Sequence, residues 1–82
     1  MKYTDFQIIL EKCKDEYVRS KEKYPDFQSI KQGWKSVKRE YCEVKNEILR
    51  DELRHESLEL ELIQLANVSL QLAALIMKNK GA

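Results

Sequence analysis

With 82 residues the chain fits one domain, residues 1–82, and leaves no room for two. Two glycines and one proline, among abundant Leu, Glu, Lys, Ile and Gln, are the composition of an all-helical protein. A formal net charge of +1 gives no argument for nucleic acid or for an anionic membrane surface, and a domain this small is expected to pair with another copy of itself.

Thr4 or Asp5 is placed to cap a first helix, because a short side-chain oxygen there accepts from the free N–H groups of the first turn. Phe6, Ile9, Leu10, Cys13 and Tyr17 then recur at helical spacing, and this helix is expected to run to about Lys23. Tyr24-Pro25-Asp26-Phe27 is the clearest break, since proline disfavours the helical conformation in the residue before it. Asp26 or Ser29 can cap the next helix, and Tyr24 and Phe27 are expected to fold back onto the core. The N-terminus carries no apolar targeting run, and two cysteines far apart in sequence read as reduced thiols of a cytoplasmic protein.

In the second helix Ile30, Trp34, Val37, Tyr41, Val44 and Ile48 alternate in steps of four and three, the pattern of one buried seam. Glu40, Glu43 and Glu47 fall on one flank of it, and Lys38 and Lys45 on the other. Ser29, Gly33 and Ser36 lie on the carboxylate flank toward its start. No proline or glycine marks the next break, and Asp51 is the best cap for a third helix from about Asp51 to about Asn79. That helix is apolar nearly all round from Leu58 to Met77, so it is expected to lie at the centre of a homodimer or larger assembly. Glu61, Gln64, Asn67 and Gln71 interrupt the apolar run, each costly in lipid, which argues against a membrane span.

Three carboxylates at i, i+3 and i+7 share one helix face and repel one another. Either they form a solvated acidic stripe, or something positive sits among the oxygens. Glu61, inside the apolar run, must be neutralised, paired with a Lys or Arg, or bound to a metal. Packing the second and third helices against each other in opposite directions sets Glu61 and Gln64 opposite Glu40 and Glu43. Hard oxygen donors in a bundle suit Mg²⁺ or Mn²⁺, and no His or Cys joins this cluster, which argues against zinc. Among the other candidates, Lys23 and Lys31 read either as a solvated basic face or as phosphate contacts. Arg54 can close on phosphate near the turn, and Trp34 is either core or a stacking surface for a base.

The order Glu40-x-x-Glu43, a spacer, then Glu61-x-x-Gln64 resembles the paired ExxE…ExxD helix motifs of MazG-like nucleotide pyrophosphohydrolases. Lys23-Tyr24-Pro25, Ser29, Gly33-Trp34 and the run Glu61-Leu62-Ile63-Gln64-Leu65-Ala66 are similar to segments of the small, single-domain, phage-type members. The resemblance covers about Tyr17 to Ile76. It implies an all-α antiparallel helical hairpin or bundle of about three helices, completed as a homo-oligomer, dimer or tetramer. It also implies a Mg²⁺-dependent enzyme that splits a nucleoside triphosphate into monophosphate and pyrophosphate. Metal ligands would be Glu40, Glu43, Glu61 and Gln64, with Glu40, Glu43 or Glu47 orienting the attacking water. Lys23, Lys31, Trp34 and Arg54 would meet the substrate. Gln64 stands where many relatives place Asp, and a neutral amide supplies no charge to a metal. The rival expectation is a non-catalytic helical homodimer that binds a protein partner or a nucleotide.

Overall fold

A computed structural model describes residues 1–81, which form three α-helices: α1 (Tyr3–Lys23), α2 (Ile30–Ile48) and α3 (His55–Gly81). No strand occurs among the described residues, so the fold is all-α. α3 is the hub. α1 and α2 each pack on α3 and do not pack on one another.

Local chemistry explains the ends. α1 starts at Tyr3, ahead of Thr4 and Asp5, and Asp5 acts from inside the first turn by accepting from the Lys2 backbone N–H at 3.4 Å. At its other end Tyr24 is extended (φ −130°, ψ 137°), as a residue before proline should be. Ser29 caps α2, its hydroxyl accepting from the Gln32 N–H at 3.1 Å, while the Gln32 side chain accepts from the Gln28 N–H at 2.6 Å. Phe27 does fold back onto the core, but Tyr24 stays in solvent. α3 begins at His55, four residues past Asp51. The difference has a cause in the turn, where Arg54 and Arg50 reach back to the Glu47 carboxylate and hold residues 49–54 out of the helix.

The packing of α2 departs from its periodicity. Val44 is buried and Val37 half-buried, but Ile30, Trp34, Tyr41 and Ile48 are each about half exposed. The side turned onto α3 carries Gly33, Ser36, Val37, Glu40, Val44 and Glu47. α2 is therefore rolled toward its carboxylate flank. Gly33 permits the roll, because a Cβ there would lie 2.6 Å from Leu72 Cδ1 and 3.0 Å from Phe27 Cδ2. The arginines on Glu47 make the roll tolerable by compensating a buried charge.

The core is small. Its only buried apolar side chains among the described residues are Cys13, Val44 and Ile63, and no side chain is fully enclosed. α3 is long and apolar enough to cross a membrane by length and composition. Its polar residues Glu61, Gln64, Asn67 and Gln71 are partly or wholly buried, while Leu62, Leu70, Ile76 and Met77 are open to solvent.

Candidate functional site

One helical turn of α2 supplies Glu40 and Glu43, and α3 brings Glu61 against them. An oxygen of each carboxylate lies within 4.8 Å of the others. Glu40 and Glu61 are half-buried and Glu43 is exposed, so the group sits in the α2–α3 seam with one open edge. Oε2 of Glu40 and Oε2 of Glu61 are shut off from solvent and have no hydrogen-bond partner. No lysine or arginine pairs with any of the three among the described residues, so the expected alternative of a basic partner for Glu61 does not hold.

Burial and crowding act together on these acids. The Glu40 carboxyl is pushed up to about 7, first by burial, then by hydrogen bonding to Glu43 and by the charges of Glu43 and Glu61, with Arg39 opposing. Glu61 is raised for the same leading reason, then by Glu43 and by the charge of Glu47. Two carboxylates this close hydrogen-bond only through a proton, and a proton is one way to relieve the site. A hard divalent cation is the other, since three carboxylate oxygens with vacant lone pairs are the donor set such ions take.

Glu47 is 8% exposed and differently placed. It accepts from Arg54 Nε at 3.0 Å and from a terminal Arg54 nitrogen at 3.2 Å, with Arg50 at 3.5 Å. Its charge is felt by Glu61, but its own oxygens are engaged. Gln64 is half-buried one turn beyond Glu61. Lys23 and Lys31 are exposed and free of ion pairs among the described residues. Trp34 is 54% exposed, and the nine residues to Glu43 amount to about half a revolution of rotation. The fold thus gathers Glu40, Glu43 and Glu61, sets Glu47 and Arg54 beside them, and leaves Trp34 on the far side of α2.

Sequence reasoning missed a polar group on the other flank of α3. Asn67, 4% exposed, approaches Ser20 Oγ at 3.4 Å through its amide nitrogen. Gln71 donates to Asn67 Oδ1 at 3.0 Å and approaches Ser20 Oγ at 3.4 Å. Asn67 and Gln71 also line a groove of about 600 Å³ between α1 and α3, edged by Lys14, Lys21 and Lys78. Amides at i and i+4 in an apolar helix were the available signal.

Comparison with known proteins returns no match: no family model, no curated protein and no solved structure corresponds to this chain.

Proposed function

We propose that the chain is a Mg²⁺-dependent nucleotide pyrophosphohydrolase of the MazG-like type, acting in the cytoplasm on a nucleoside triphosphate. What supports this reading above all is the convergence of Glu40, Glu43 and Glu61 with two buried, unpartnered oxygens. α2 and α3 form an antiparallel hairpin in this reading, in keeping with the contacts of Gly33 with Leu72 and of Glu43 with Glu61. A second copy completes the bundle.

Water attacks the α-phosphorus, the bond from that phosphorus to the oxygen bridging the β-phosphate breaks, and pyrophosphate leaves with that oxygen. A divalent cation there would supply neutralisation of charge on the phosphate oxygens and a more acidic water. Glu40, Glu43 and Glu61 would hold the cation, and Gln64 would add an amide oxygen without charge. Glu43, the exposed member, is best placed to orient the water and take its proton. Glu47 does not serve as the base while Arg50 and Arg54 occupy it. It keeps both arginines at the edge of the site, where Arg54 can turn to a phosphate.

The engagement of Glu47 and the amide at position 64 favour a second reading, a homodimer that binds a nucleotide and does not turn it over. The test is release of pyrophosphate from a panel of ribo- and deoxyribonucleoside triphosphates with Mg²⁺ or Mn²⁺, alongside metal titration by calorimetry. Metal uptake without turnover selects the second reading, and no metal uptake sinks both the enzyme and its site.

A further inference from the structure

A compact monomer of this mass exposes about 5,200 Å², whereas this chain exposes 6775 Å². The excess, roughly 1,600 Å², is twice the ~800 Å² that each partner contributes to a standard interface. The excess is not spread evenly. On α2, Ile30, Trp34, Tyr41 and Ile48 form one open stripe. On α3, Leu62, Ala66, Ser69, Ala73 and Ile76 recur in steps of four, three, four and three with no charge among them. Leu62 and Ile76 are close to half exposed, and Ser69 and Ala73 are open.

Both stripes lie about 90° of helix rotation from the α2–α3 seam. For helices running in opposite directions, equal rotations in the same sense reach the same side of the pair. The side they share is the one away from Glu43. We infer that this α2–α3 face is the docking surface for a second copy of the chain, related by a two-fold axis that crosses α3 near Ser69.

The occupant follows from self-complementarity. When α3 meets its own copy in the opposite direction about Ser69, Leu62 comes opposite Ile76 and Ala66 falls close to Ala73. Large side chains stand at the ends and small ones at the crossing, which is where two backbones must approach. An isologous contact needs that match of a surface with itself. Trp34 and Tyr41 then close the sides of the four-helix layer. Each copy keeps its own Glu40, Glu43 and Glu61 uncovered, so the assembly carries one carboxylate group per chain. This inference rests on the homo-oligomer in the proposed function but not on its chemistry.

The experiment uses the full chain and its single tryptophan. Sedimentation is expected to give twice 9.8 kDa, with Trp34 emission at the blue wavelengths of a buried indole. Ala73→Glu should halve the mass and shift emission to that of a solvated indole, with helix content by circular dichroism retained. Should that variant fail to fold, Ser69→Cys in a Cys42→Ser background decides. Mild oxidation is expected to convert most of it to a disulfide-linked dimer, and the Cys42→Ser parent should stay uncoupled. A wild-type monomer at high concentration overturns the inference. An oligomer that neither Ala73→Glu breaks nor Ser69→Cys couples overturns this face while leaving homo-oligomerisation standing. Pyrophosphate release is not a readout, so failure here is separate from failure of the enzyme reading.

Discussion

On the α1 side of α3, Asn67 is almost wholly buried and yet its amide, that of Gln71 and the Ser20 hydroxyl answer one another. On the α2 side, Glu40 and Glu61 turn oxygens out of solvent and nothing answers them. The two seams contain similar amounts of polar chemistry and differ in whether it is closed. A closed polar network fixes register and tolerates no deletion, because removing a member strands the rest. An open one costs stability as it stands, and its removal relieves the fold. The first is a structural device. The second is an unrelieved cluster, the kind of feature on which the proposed function rests.

That contrast can be broken from either side. The largest effect is expected at Glu43: Glu43→Gln should lower pyrophosphate release by about 100-fold or more, with helicity unchanged. The same substitution should raise the thermal midpoint in metal-free buffer at pH 8, because it removes a charge from the crowd. A fall in that midpoint would mean that Glu43 makes a structural pair and that the open seam has been misread. On the closed seam, Asn67→Ala should cost roughly 1–3 kcal/mol in urea unfolding, the penalty for stranding a buried partner. Neutral stability there would remove the distinction.

A gentler probe uses pH. Glu40 sits near 7 in the folded chain against an ordinary value of 4.5, so the folded state binds its proton more tightly than the unfolded state does. Its contribution is fully present below about 4.5 and is lost as pH rises through about 7. The thermal midpoint of the metal-free protein should therefore decline across that window, and Glu40→Gln should flatten the decline. The smallest effect is expected at the turn. Arg54→Ala should cost about 1.5 kcal/mol, since Arg50 remains to serve Glu47, and denaturant titration of single and double arginine variants would resolve the two shares.

Much of this was legible along the chain and some was not. Pro25 announced its break, Ser29 its cap, and the positions of Glu40, Glu43 and Glu61 followed from spacing once two helices were laid together. Asp51 misled because a cap preference is a local property, while the start of α3 is set by a side chain eight residues back, Glu47, drawing Arg54 to it. The α2 seam misled for a related reason. Periodicity identifies which residues share an apolar stripe, and Trp34, Tyr41 and Ile48 do share one, yet the fold leaves each about half exposed. Periodicity does not say which helix supplies cover, and within one chain the close approach at Gly33 turns a different face inward. Asn67 and Gln71 were visible only as interruptions, because their partner Ser20 lies 47 residues away from Asn67.

One further consequence belongs to α1, which leans on α3 alone. A helix with a single neighbour can detach without disturbing the pair it leaves behind, so the chain has two cooperative units of unequal strength. Amide protons of α1 from about Phe6 to Lys21 should exchange with deuterium well ahead of those around Val44 and Ile63. The carboxylates, which belong wholly to α2 and α3, would stay assembled through such openings.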